Sequence, residues 1–495
     1  AALLLAAPAF ATAQEATPLR KGEPREATLA RGETHVYTIA LDKDRFVFGT
    51  ANQKTVDVIV RVIDPDGELV EAFNAPARGP EPFQFTSRRA GVHRIEIRAA
   101  KEEEGDYTLV VQRVEPKATT PEGTVDQLMA FYDGEDTPGG VVAVVEKGRV
   151  RFIEAYGMAN LEHGVPNTPA MRFNIGSVTK QFTAFAIALL AEQGKLSLDD
   201  DVRVHLPEVP DFGETIRIRH LLQHTSGLRE YLNLLLTGGR DIENGDVVHQ
   251  HEVMRLVARQ PELQSTPGEK FLYNNTAYVL LAEIVERVGG KPFGEWMAQN
   301  VFGPLGMDDA VVMTEVGQII PRRTHGYTRT ADGRFRHGSD LEGTWGPGGI
   351  YATAADLARW LANFREPRVG GTRVMDLMTT RGLLANGDTL RYALGLFIDQ
   401  QRGLARVQHG GNTLGHAAEL HYFPDLDAGV IVLSNVSGGH AREIADKVAE
   451  AFLEHRPGFV EALPNSLMEW EPLADDPRKP FSTVKYFSST FDAIH

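Results

Sequence analysis

Strand-like segments cluster at two places far apart in this chain, and that split constrains the fold most. "GGVVAVVEKGRVRFIEAYG" (139–157) reads as two strands joined at Lys147-Gly148. Four more strands are expected late in the chain, in "YALGLFID", "LARVQHG", "AAELHYF" and "AGVIVLSN". A mostly helical stretch, roughly 177 to 365, separates the two sets. Strands at both ends must meet to form one sheet. The pattern therefore predicts an α/β domain over 123–456, an antiparallel sheet flanked by helices with a helical subdomain inserted. "GHAREIADKVAEAFLEH" reads as an amphipathic helix that follows the last strand.

With 495 residues the chain is too long for one ordinary domain, so a multi-domain protein is expected. Residues 20–115 read as all-β: "HVYTIAL", "VDVIVRVI", "HRIEIR" and "YTLVVQRV" alternate apolar and polar side chains with period two. The turn signals Asp64-Pro65-Asp66-Gly67 and Glu104-Gly105-Asp106 separate strands. A small β-sandwich follows from this pattern. The segment resembles the bacterial pre-peptidase C-terminal domain, which implies an accessory role. Asp57, Asp64 and Asp66 are read as turn and surface acids rather than calcium ligands. The linker "VEPKATTPEGT" (114–124) closes the domain. Residues 457–495 show no clear period and are read as a tail or a partial further segment. The first 14 residues read as a signal-peptide remnant, an apolar run ending in Ala11-Thr12-Ala13. Export to the periplasm or beyond the cell is expected, with no membrane span after the signal.

The stretch "FNIGSVTKQFTAF" (173–185) carries the first candidate chemistry. Residues i and i+3 share one helix face, so Ser177 and Lys180 can present a hydroxyl and an amine to one point. Gly176 permits a tight turn and close substrate approach. A serine at a helix N-terminus also has a free N–H to donate. Phe182, Phe185, Ile187, Leu189 and Leu190 are expected to anchor this helix in a core. A second S-x-x-K, Ser482 to Lys485, sits in aperiodic sequence without partners and is read as a chance match.

Two further segments supply company. Tyr273-Asn274-Asn275 precedes an amphipathic helix, where either asparagine can act as the N-cap. Tyr231-Leu232-Asn233 has the same form but runs into "LLL" and ranks below it. His409-Gly410-Gly411 ends one strand, and its glycines allow a ligand near the backbone.

Together these segments resemble the serine β-lactamase and penicillin-binding protein family, in its class C β-lactamase, DD-carboxypeptidase, D-aminopeptidase and esterase branch. The handle is S-x-x-K with Y-x-N and H-x-G in that order. "LLQHTSGL", "VFGPLGMDDA" and "GPGGIYATAADLARW" also look like this family. The resemblance implies that Ser177 is the nucleophile, Lys180 handles its proton, and Tyr273 is a general base with an acidified phenol. It implies that Asn275 orients Lys180 and binds substrate, that His409 contacts Tyr273 or a substrate carboxylate, and that Gly411 and Asn412 line the substrate site with it. The backbone N–H groups of Ser177 and Asn412 would form the oxyanion hole. No metal or organic cofactor is implied. The expected partner is a small molecule or peptide, peptidoglycan-derived peptides included. The runner-up is a non-catalytic peptidoglycan- or ligand-binding protein on the same fold.

His409 stands where class C β-lactamases carry a lysine. A histidine with an ordinary pKa near 6.5 would charge in acid and favour carboxylate substrates there. This weakens the expectation of β-lactam turnover and suits amides, peptides or esters. The net charge of -16 argues against nucleic acid. The absence of cysteine excludes disulfides and thiolate metal sites. His249-Gln250-His251-Glu252 matches no H-E-x-x-H pattern and is read as polar surface. No G-x-S-x-G elbow occurs.

Overall fold

The protein is described as a computed structural model covering residues 16–74, 78–330, 332–338 and 342–460. The second S-x-x-K and the expected signal peptide both lie outside these residues. The chain divides into two compact units: the first runs to Phe131 and takes in Arg329–Arg336, and the second holds the rest.

The first unit is built from two sheets. One orders its strands Thr17–Pro18, Thr34–Leu41, Gly91–Ala99, Val58–Ile63 and Leu69–Phe73. The other orders Arg25–Leu29, Gly105–Pro116, Arg45–Gln53 and Gly79–Thr86. Tyr37, Ile39, Val58, Val60, Ile95 and Ile97 of the first sheet share one apolar cluster with Leu29, Val47, Phe83 and Leu109 of the second. Burying each such side chain contributes roughly 1.5–3 kcal/mol. Asp64 closes its turn by accepting the Asp66 and Glu68 N–H groups at 2.9 Å each, and Asp66 pairs with Arg89. Asp64 and Asp66 therefore serve the turn, whereas Asp57 is buried rather than on the surface. The Pro121–Leu128 helix is tied back to the end of the Gly105–Pro116 strand, since Gln127 bonds Pro116 O at 2.8 Å.

In the second unit the separated strands meet. One six-stranded antiparallel sheet orders Arg149–Tyr156, Gly140–Glu146, Ala428–Ser434, Ala417–Phe423, Leu404–Asn412 and Phe397–Gln401. Gly140 pairs with Ser434 at one seam, and His409 with Leu420 at another. Lys147 and Gly148 both take positive φ, as a tight hairpin with primed turn geometry requires. The early part of "YALGLFID" holds only an isolated bridge, Tyr392 with Phe397, and the strand starts at Phe397. The helix Ala441–Leu453 packs on the strands Ala417–Phe423 and Ala428–Ser434. Both strands are buried along their whole length.

The main apolar cluster fills the space between the sheet and the helices. Through it runs the helix Thr179–Glu192, called the serine helix below, whose residues Thr179 to Leu190 are all buried. A helix buried on every side over three turns belongs inside a core, and here it carries polar Lys180 and Gln181 inward with it. It packs against the helix Asn275–Gly289. Among the described residues no helix is long and apolar enough to cross a membrane.

Candidate active site

Ser177 sits on a single 3₁₀ turn, Gly176–Val178, that leads into the serine helix. Gly176 has φ +50°, and a Cβ there would stand 2.8 Å from the Asn412 nitrogen. From the facing strand, a Cβ on Gly411 would meet Ile175 O at 2.1 Å and Ser177 N at 2.9 Å. The two glycines thus let the end of the Leu404–Asn412 strand press against the serine turn. The strand end that carries Asn412 N thus lies against the turn that carries Ser177 N, as an oxyanion hole built from these two groups would require.

Lys180 lies one helical turn on and is fully buried. Its Nζ donates to Ser177 Oγ at 2.9 Å, Asn275 Oδ1 at 2.8 Å and Pro347 O at 3.0 Å. It also stands 4.8 Å from the Tyr273 ring centroid. An amine with two positions committed to Asn275 and Pro347 has its third aimed at the serine oxygen.

The turn before the Asn275–Gly289 helix divides its labour. Asn274 is the N-cap: its Oδ1 accepts from Ala277 N at 2.8 Å, and its Nδ2 donates to Leu228 O at 2.7 Å. Asn275 is thereby freed to face Lys180. The segment around "HTSGLRE" cradles this turn. Leu272 N donates to His224 O at 2.8 Å, Asn274 N to His224 Nδ1 at 3.0 Å, and Thr276 Oγ1 to Arg229 O at 2.8 Å. The buried His224 ring lies tilted against Tyr273, 4.2 Å between centroids. Because its Nδ1 accepts, His224 is the neutral Nε2–H tautomer, and burial with the nearby Lys180 charge holds its pKa well below the usual value.

Two groups differ from the sequence reading. Burial pushes the Tyr273 phenol well above its ordinary pKa, against a hydrogen bond with Ser177 that pulls down. Tyr273 is therefore a neutral phenol, not the acidified base expected from nearby cations. His409 is buried, with Tyr273, one of the two partners the resemblance implied, beside it. Its Nδ1 donates to Gly410 O at 2.6 Å and its Nε2 accepts from Tyr392 OH at 3.1 Å. Its ring centroid is 6.2 Å from that of Tyr273. Burial, then the Lys180 charge, lowers its pKa to about 3.

Glu230, Pro347 and Tyr392 are neighbours to which the sequence reading gave no role, although Pro347 lies in "GPGGIYATAADLARW". Glu230 accepts from Asn275 N and, at 3.3 Å, from Asn275 Nδ2. Burial raises its pKa above the usual carboxyl value although these N–H groups oppose the shift. The competing Tyr231 is core: its N–H donates to Thr276 Oγ1 at 2.9 Å, buttressing the Tyr273 turn. His249 and Glu252 open the Gln250–Ala258 helix, with Glu252 accepting His249 N–H at 3.0 Å.

Comparison with known proteins gives this geometry a family. The chain is 28% identical over 349 residues to a D-aminopeptidase of Gluconobacter oxydans, covering 70% of this chain and 64% of that protein's own length. It is 28% identical over 367 residues to penicillin-binding protein 4* of Bacillus subtilis, covering 70% and 77%. Its fold superposes on the octameric penicillin-binding protein homologue from Pyrococcus abyssi with a TM-score of 0.61 and 28% identity, over 67% of this chain and 77% of that one. The family profile described as Beta-lactamase matches residues 122–454, about two thirds of the sequence, so this chain belongs to the beta-lactamase family.

Proposed function

We propose that the protein is a serine hydrolase that cleaves small amides, peptides or esters through an acyl-enzyme on Ser177. The observation that carries this reading is the buried Lys180 amine, 2.9 Å from Ser177 Oγ and held by Asn275 and Pro347. In its neutral form the amine takes the serine proton as Oγ attacks the substrate carbonyl. The backbone N–H groups of Ser177 and Asn412 stabilise the oxyanion. Tyr273, a phenol, donates a proton to the leaving group and is recharged from Lys180. Water then attacks the acyl carbonyl, with the same groups running in reverse.

Neutral His409 gives a substrate carboxylate no charge to meet. We therefore infer a preference for substrates of the D-aminopeptidase and esterase kinds over penicillins and free D-Ala-D-Ala ends. Residues 20–115 are proposed as a β-sandwich accessory domain, supported by the apolar cluster its two sheets share. Export, read from the apolar start of the chain, belongs to the same proposal.

A fluorophosphonate probe tests the reading. One adduct is expected on Ser177 by mass spectrometry, with none in Ser177→Ala. Ester turnover should fall about 10⁴- to 10⁶-fold in that variant, while Ser482→Ala is silent. Labelling or turnover that survives Ser177→Ala overturns it.

A further inference from the structure

We infer that Glu230 is a positioning residue that sets the direction of the Lys180 amine by locking the amide of Asn275. This rests on the acyl-enzyme reading of Ser177. The Glu230 carboxyl group collects three N–H groups: Asn275 N, Asn275 Nδ2 at 3.3 Å and Leu232 N at 3.3 Å. Two of the three come from one residue, so the backbone and the side chain of Asn275 are gripped together.

The amide of an asparagine can turn over and exchange its oxygen and nitrogen. Lys180 offers only donors to it, so Oδ1 must face the amine. An acceptor on the other side makes that orientation the stable one, because a flip would set Oδ1 against the Glu230 oxygens and Nδ2 against the Lys180 hydrogens. Both bonds would be lost at once inside a core, where unmade bonds are costly. With Oδ1 fixed, one Lys180 position is held by Asn275 and another by Pro347 O, and the third is left for Ser177 Oγ. The carboxyl group hydrogen-bonds to Asn275 and Leu232, so its bonded contact with the amine runs through Asn275, while any charge on it also acts through space on Lys180 and Tyr273.

Glu230 also caps the Tyr231–Thr237 helix, through Leu232 N. The test must separate the two duties. Serine is a good N-cap but too short to span from position 230 to the Asn275 side chain. In Glu230→Ser the melting temperature is expected to stay within a few degrees of the parent. The rate of Ser177 adduct formation with a fluorophosphonate should fall about 100-fold, the scale for a misplaced catalytic group. For ester turnover the loss should fall on kcat, with KM little changed.

A double-mutant cycle supplies the decisive arm. If Glu230 acts through Asn275, Glu230→Ser should slow labelling little further when Asn275 is already alanine. Equal losses in both backgrounds, or a Glu230→Ser enzyme that labels at the parent rate, overturns the inference. Should Glu230→Ser fail to fold, Glu230→Gln replaces it in the cycle, with a loss of about tenfold expected because one of the two Asn275 bonds meets an N–H₂. A parent enzyme that takes no label on Ser177 sinks the hydrolase reading itself. A labelled parent with an additive cycle sinks only the role of Glu230.

Discussion

At the scale of single residues, His409 shows how far position alters chemistry. Met as a letter in the sequence, it is a group that titrates near pH 6.5 and could greet a carboxylate in acid. In the fold both ring nitrogens are engaged, and the pKa lies at about 3. A depressed histidine pKa means the proton binds only as pH falls toward that value, so the ring stays neutral from pH 5 to 8. The ratio of kcat/KM for a carboxylate substrate to that for a neutral ester should then be flat across this range, in the parent and in His409→Gln. A ratio that rises in acid and flattens in His409→Gln would place the pKa back in the ordinary range. Ser177 and Asn275, singled out from their motifs and the resemblance those motifs carry, both stand within hydrogen-bond distance of the Lys180 amine. Glu230 and Pro347 were illegible because their contacts with that cluster are tertiary. Tyr273 was legible by type but not by acidity, since a motif does not report burial.

At the scale of elements, the meeting of the serine turn and the Leu404–Asn412 strand governs the chemistry. The missing Cβ of Gly411 leaves room for Ile175 O. Gly411→Ala must push the strand end away from Ser177 and open the oxyanion hole. A loss of about 100-fold or more in kcat is expected, the scale of a lost oxyanion donor, with KM much less affected. Fast turnover in that variant would mean that Asn412 N is not part of the hole. Sequence periodicity found the helices and the alternating strands because one face of each is buried. It missed Arg45–Gln53, where six consecutive residues are buried and no alternation exists to read. It also passed over Gly79–Thr86, whose Pro80 and Pro82 argue against a strand; there the strand lies at the edge of its sheet, where proline is tolerated. Which asparagine would cap the Asn275–Gly289 helix was undecidable from "YNN", since both suit an N-cap equally; the Leu228 carbonyl settles it on Asn274.

At the scale of the whole molecule, the strands read at both ends of the second unit do form one sheet, and the seam that unites the early pair with the late strands joins Gly140–Glu146 to Ala428–Ser434. That seam has a consequence for how the protein comes to life on the ribosome. Closing a loop of this length costs about 5 kcal/mol of chain entropy, which only the finished contacts repay. Until residue 434 has been made, the strand at 140–146 has no partner on one side, and the serine turn has no completed sheet to lie against. Long-range pairing of this kind forms slowly and exposes apolar surface while it waits. Every side chain proposed for catalysis is therefore synthesised well before the chain can react. A chain ending at residue 427 contains Ser177, Lys180, Tyr273, Asn275, His409 and Asn412. It should nonetheless bind a holding chaperone and take no fluorophosphonate label, whereas a chain ending at 460 labels at the full rate. Labelling of the shorter chain would show that the site assembles before the sheet is closed.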